Sequence, residues 1–156
     1  MADNLSVTTV IDAPVEAVFA VLADPAKHAA IDGTGWVRGP LGSEQLTAAG
    51  QTFRMAMYHD GHPDKEYQMV NRVLVFDPAR AISWEPGYDA GDGTLGFGGW
   101  TWRYDLEAAG PDKTRVTLSY DWSAVGEAVR QNIQFPPFPP DHLTNSLAHL
   151  AQLSIA

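Results

Sequence analysis

Two stretches late in the chain, Trp100-Thr101-Trp102-Arg103-Tyr104-Asp105-Leu106 and Val116-Thr117-Leu118-Ser119-Tyr120-Asp121-Trp122, alternate apolar and polar residues without a break. Period two over this length specifies a strand with one face buried and the other wet. The link Ala108-Ala109-Gly110-Pro111-Asp112 reads as a hairpin loop, so the two strands are antiparallel neighbours. One face of the pair then carries Trp100, Trp102 and Tyr104 beside Tyr120 and Trp122. A lone hairpin is at best marginal in water. Such a face therefore needs more strands beside it and something to cover it.

Further strands are present. Leu5 to Ile11 is rich in β-branched residues, and Thr52 to Tyr58 places Phe53, Met55 and Met57 on one side. Tyr67 to Phe76 reads as a long strand ended by Asp77-Pro78, and Ala81 to Glu85 as a shorter one ended by Pro86. Register stays open in Val73-Leu74-Val75-Phe76, where apolar residues occupy both phases. Asp12-Ala13-Pro14 opens a helix in which Val15, Val18, Phe19 and Leu22 form one stripe, stopped by Asp24-Pro25. A short second helix is expected over Lys27 to Ile31, before a turn at Asp32-Gly33-Thr34-Gly35. After Trp122, a weak helical patch (Ala124 to Gln131) leads through Phe135-Pro136-Pro137-Phe138-Pro139-Pro140 to a final helix, Asp141 to Ile155. Its apolar face is Leu143, Leu147 and Leu150; helical phase puts Ser146 near that face and His142 and His149 off it. Strand, two short helices, a run of strands and one long helix make an α+β fold, with a curved antiparallel sheet and the terminal helix burying each other's apolar sides.

The 156 residues fit a single domain spanning 1–156. There is no Cys, which removes disulfides, thiolate metal sites and thiol nucleophiles. Ten Lys and Arg stand against 19 Asp and Glu, a formal net charge of −9 that repels phosphate backbones and anionic membranes. Nucleic acid is excluded as the expected partner. No leader and no membrane-spanning run is evident, so the expected address is cytoplasmic, without membrane insertion.

The aromatic face is the feature closest to chemistry. Large rings with polar tips on adjacent strands serve either as plain core or as the wall of an apolar ligand pocket. The pocket reading takes Met55, Met57, Trp84, Trp100, Trp102, Tyr104, Leu118, Tyr120 and Trp122 from the sheet, and Leu143, Ser146, Leu147 and Leu150 from the helix. Polar residues that could address a ligand include Arg54, Tyr58, Tyr67, Asn71 and Arg103 on strands. His28 and Asp32, four apart, suit either an acid–base pair or a surface histidine beside a cap. His59-Asp60-Gly61-His62-Pro63-Asp64 lacks a third ligand at motif spacing, so no metal is expected. Gly91-Asp92-Gly93-Thr94-Leu95-Gly96 matches a dinucleotide fingerprint literally, but an aromatic strand follows it rather than a helix; no cofactor is expected. Nucleophile-elbow, P-loop and kinase signatures are absent.

Val7-Thr8-Thr9-Val10-Ile11-Asp12-Ala13-Pro14-Val15-Glu16-Ala17-Val18-Phe19 with Leu22-Ala23-Asp24-Pro25, then Val73 to Trp84 around Asp77-Pro78, then the helix with Leu143, Leu147 and Leu150, resemble the START-like (SRPBCC) superfamily. Within it the chain is similar to the polyketide cyclase/dehydrase and lipid-transport branch. The resemblance implies a helix-grip fold: about seven antiparallel strands around the C-terminal helix, with a hydrophobic cavity between. It also implies a small hydrophobic ligand, lipid-like or polyketide-like. Two alternatives stand beside plain binding. One is a cyclase or dehydratase, for which His28, Tyr58, Tyr67 and Arg103 are the catalytic candidates; the other is a chaperone-activator-like interaction module. Monomer and homodimer both remain open.

Overall fold

The computed structural model describes residues 3–32, 37–41, 45–58, 66–89, 95–132, 135, 138 and 141–155. The strands are β1 (Asn4–Ile11), β2 (Val37–Pro40), β3 (Thr52–Tyr58), β4 (Glu66–Asp77), β5 (Ala81–Asp89), β6 (Leu95–Phe97), β7 (Thr101–Gly110) and β8 (Lys113–Asp121). The α-helices are α1 (Val15–Leu22), α2 (His28–Ile31), α3 (Glu127–Asn132) and α4 (His142–Ile155). Seven strands run side by side in the order β1-β8-β7-β5-β4-β3-β2, and short β6 pairs the far end of β5. Every pairing is antiparallel. α4 lies against α1, α2, β1 and β8. This is the helix-grip architecture. Among the described residues no helix is long and apolar enough to cross a membrane.

Cross-strand register carries the inner face. Trp84, Trp102, Tyr120 and Leu5 form one row across β5, β7, β8 and β1, and Ile82, Tyr104, Leu118 and Val7 form the next. Directly opposed residues project from the same side of a sheet, so these rows stack on one face. The ambiguous apolar run in β4 has a local cause. A bulge between Val73 and Val75 leaves Leu74 out of register and exposed, so the inner phase passes from Val73 to Phe76. Phe76 then meets the edge of Phe19 from α1 at 5.2 Å.

Several sequence boundaries move. Pro86 does not end β5, which continues to Asp89. It falls between the residues that pair β7 (Ala81 to Trp84) and those that pair β6 (Gly87 to Asp89), where its missing N–H removes no ladder bond on that side. The hairpin loop tightens to Pro111-Asp112, because β7 continues through Ala108 and Ala109 with a bulge before Gly110. Trp100 lies just outside β7, and β2 and β6 are strands the sequence pattern did not signal. The second helix begins with a 3-10 turn, Pro25–Lys27, capped by Asp24 Oδ1, which accepts from Ala26 N–H at 3.0 Å. Thr114, fully buried, ties β8 to the entry of α1 by donating to the Ala13 carbonyl at 2.7 Å.

Candidate functional site

The inner face holds two aromatic groups. In one, His28 from α2 stacks on Trp84 (5.1 Å between centroids) and meets the edge of Phe53 at 5.4 Å. Trp84 in turn stacks on Tyr104 at 5.9 Å. In the other, Trp102 contacts Tyr120 (4.5 Å), Phe138 (5.6 Å) and the edge of His142 (5.6 Å). Phe138 also packs on His142 at 4.7 Å, and Trp122 on Tyr120 at 5.7 Å. Trp100 stands apart against Phe135.

The residues expected to line a pocket divide by burial. Met55, Tyr104, Leu118, Tyr120, Trp122, Leu143, Ser146, Leu147 and Leu150 are buried, whereas Met57, Trp84, Trp100 and Trp102 are half-buried. Tyr67 and Met69 are half-buried too, and they share the inner face of β3 and β4 through the pairs Met57–Tyr67 and Met55–Met69. The inner face is thus closed over Tyr104, Leu118, Tyr120, Ile82, Val73, Phe53 and Met55, and partly open at Met57, Tyr67, Met69, Trp84 and Trp102.

Two histidines are not where helical phase and turn chemistry put them. His28 is no surface residue: it is 8% exposed, and its Nε2–H donates to the Leu22 carbonyl at 2.9 Å. Burial lowers its pKa, against the Leu22 hydrogen bond and the charge of Asp24, which raise it. Asp32 does not pair with it, because α2 ends at Ile31 and the Asp32 carboxylate turns to accept from Val37 N–H at 3.0 Å. His142 lies on the leucine face, not off it, at 6% exposure. The buried face of α4 is wide enough to take His142, Leu143, Ser146, Leu147 and Leu150 together, since 142, 146 and 150 are each one turn apart. His149 is half-buried and ties α4 to α2, with Nδ1 3.1 Å from the Ile31 carbonyl.

His142 Nδ1 is buried and has no hydrogen-bond partner among the described residues. Burial lowers the His142 pKa, while the charges of Asp32 and Asp141 act the other way. Asp32 also raises the pKa of Tyr67 and of Tyr104, in both cases after the larger effect of burial. Burial alone raises Tyr120. One carboxylate is thereby in electrostatic reach of side chains on β4, β7 and α4. At neutral pH the described site therefore contains neutral imidazoles and protonated phenols, with the negative charge of Asp32 shared among them and that of Asp141 added at His142.

The remaining catalytic candidates do not join this group. Arg103 is on the outer face, where Nε donates to both Asp105 carboxylate oxygens at 2.9 and 3.0 Å. Tyr58 has the phase of exposed Arg54, opposite to Phe53 and Met55, and the Arg38 guanidinium lies over its ring at 4.7 Å. Asn71 is buried on the inner face opposite Phe53. Phe138 and His142 are the site residues that sequence patterns missed, and Asp32 was singled out only as a partner of His28; the one available signal for His142 was its one-turn spacing to Ser146. Among the described residues no three His, Asp or Glu side chains converge as metal ligands. The stretch 59–64 lies outside those residues, as do 91–94.

The sequence pattern of the family described as polyketide cyclase/dehydrase and lipid transport matches residues 3–153. The chain belongs to that family. It is 30% identical over 145 residues to the uncharacterized protein Rv0088 of Mycobacterium tuberculosis, covering 91% of this chain and 58% of that protein. It therefore spans little more than half the length of the curated relatives it matches. Among solved structures, the crystal structure of CV1439 from Chromobacterium violaceum superposes with a TM-score of 0.67 at 20% identity, over 100% of this chain and 99% of that one. A solution structure of a protein from Arthrobacter aurescens gives 0.70 at 15% identity, over 99% and 87%. At these identities the likeness is one of fold.

Proposed function

We propose that this chain binds a small hydrophobic molecule, lipid-like or aromatic and polyketide-like, between the concave face of the sheet and α4. The observation that carries the reading is His142 Nδ1, a buried polar atom among aromatic rings that no group among the described residues satisfies. Such atoms are rare in folded proteins and unfavourable to leave bare, which favours a visiting partner. The half-buried Trp102 that touches it, and Met57, Tyr67, Met69 and Trp84 on the same sheet face, leave partly exposed apolar surface on that side. Methionine adapts its shape to varied ligands, and ligand sites are commonly apolar with a few placed polar groups. Family membership agrees with this chemistry without naming the molecule.

A second reading, a cyclase or dehydratase, is favoured by the neutral His142 and the protonated Tyr67 and Tyr104 around one carboxylate. A neutral imidazole can take a proton and a phenol can donate to a developing enolate. Native mass spectrometry of freshly purified protein, followed by organic extraction, tests the binding reading. A stoichiometric apolar compound is expected. An empty protein that also takes up no apolar probe would overturn it. Conversion of a bound polyketide-like compound, lost with the imidazole, would move the enzyme reading ahead.

A further inference from the structure

We propose that the site selects an apolar molecule whose polar end is an uncharged hydroxyl or carbonyl group, bound at His142 Nδ1, and rejects one that ends in a carboxylate. The inference rests on the binding reading above and names the ligand's headgroup.

Three observations point the same way. First, His142 presents one unsatisfied ring nitrogen, 94% of its residue surface being out of solvent by its 6% exposure, inside a ring of Trp102 and Phe138. A hydroxyl can serve Nδ1 whether it carries hydrogen or a lone pair; a carbonyl serves it when it carries hydrogen. Second, the charge that reaches this place is negative: Asp32 acts on His142, Tyr67 and Tyr104 alike, and Asp141 adds to it at His142. Third, every Lys and Arg among the described residues is exposed. Arg103, the one basic candidate from the aromatic strands, is held outside by Asp105. A carboxylate entering here would lose its water and meet like charges, with no buried Lys or Arg among the described residues to offset its own. A hydroxyl or carbonyl meets neither penalty.

Asp32→Asn removes the charge while the amide oxygen can still accept from Val37 N–H. His142→Phe isolates the nitrogen, because a phenyl ring can keep the edge contacts to Trp102 and Phe138. The experiment is isothermal titration calorimetry at neutral pH with 1-naphthol, 1-naphthoate and naphthalene, and with decan-1-ol against decanoate as a chain-like pair. In the wild type the alcohols should bind at least roughly tenfold more tightly than the carboxylates, as loss of one good polar contact plus like-charge repulsion implies. His142→Phe should bring naphthol roughly threefold to tenfold down, toward naphthalene. Asp32→Asn should narrow the gap by strengthening naphthoate and decanoate. Carboxylates that bind as tightly as the alcohols overturn the headgroup inference, as does a naphthol-to-naphthoate ratio that neither variant moves. Equal binding of all probes overturns that inference and leaves the apolar site standing. Binding of none of them overturns the site as well. Melting curves of each variant establish that it is folded before it is titrated.

Discussion

Replacing His142 by Phe should make the empty protein more stable, an unusual outcome for a buried substitution. The wild-type side chain is 6% exposed and leaves Nδ1 without a partner. A buried unsatisfied polar atom costs about 1–3 kcal/mol. The phenyl ring removes that atom and retains edge contacts with Trp102 and Phe138, each worth about 0.5–1.5 kcal/mol. Against this stands the slightly larger ring, which in a tight core can cost about 1 kcal/mol or more. The balance is a gain of about 1 kcal/mol at neutral pH, or a rise of roughly 2–4 °C in Tm for a chain of this size. His142→Asn is the matched control. It keeps a polar group near Nδ1 and loses the ring, so it should lose about 2 kcal/mol or more. Urea denaturation of delipidated wild type and both variants measures the difference directly. If Phe and Asn destabilise equally, Nδ1 is not an unmet group in the empty protein, and the argument for a visiting polar partner falls with it. If Phe stabilises while affinity for hydroxylated probes drops, the histidine is held at this position at the expense of stability.

Other consequences follow from single residues. His28 and His142 both have pKa values held below the ordinary 6.5 by burial, so below that pH the unfolded chain takes up protons that the folded chain refuses. Stability should be full above about pH 6.5 and fall on acidification, by up to about 1.4 kcal/mol per pH unit for each histidine; denaturant midpoints at descending pH check this, and a flat profile would contradict the burial of both rings. Thr114→Val should cost about 1–3 kcal/mol, since it leaves the Ala13 carbonyl without the 2.7 Å bond that anchors the start of α1 to β8; a neutral result would mean that the carbonyl finds another donor. Gly99 has φ +99°, and an added Cβ would lie 2.5 Å from the Ala124 carbonyl oxygen, so Gly99→Ala should lower stability by roughly 2 kcal/mol or more. Ala79, at φ 63° in the turn closed by Arg80 N–H to the Asp77 carbonyl at 3.0 Å, is the reverse case. Ala79→Gly should be neutral or stabilising by up to about 1 kcal/mol, read from the urea midpoint.

The unbroken alternation in β7 and β8 was legible because both strands are sealed on one side and wet on the other, with Arg103 and Ser119 turned outward opposite each other. The β4 run was not, and the reason is physical: a bulge at Leu74 exchanges the two phases, so Val73 and Phe76 both face inward and any single-phase reading fails. Pro86 misled in a related way, because a proline ends a strand only where its N–H would have met a partner. The aromatic walls were readable from composition and period, yet the polar centre was not. Asp32 reaches it from beyond the end of a four-residue helix, and Tyr67, Tyr104 and His142 come from three other elements. No spacing along the chain encodes that electrostatic reach, since it depends on sheet curvature and on how α4 lies against β1 and β8. His142 shows the limit most clearly. Judged against the leucines alone it falls off the stripe, because Leu143, Leu147 and Leu150 define a narrow seam. Gripped by a curved sheet, the helix buries a wider face, and the residue one turn before Ser146 is carried inside with it. In this fold the width of the buried face, rather than its period, decides which polar side chain of the last helix is carried into the interior.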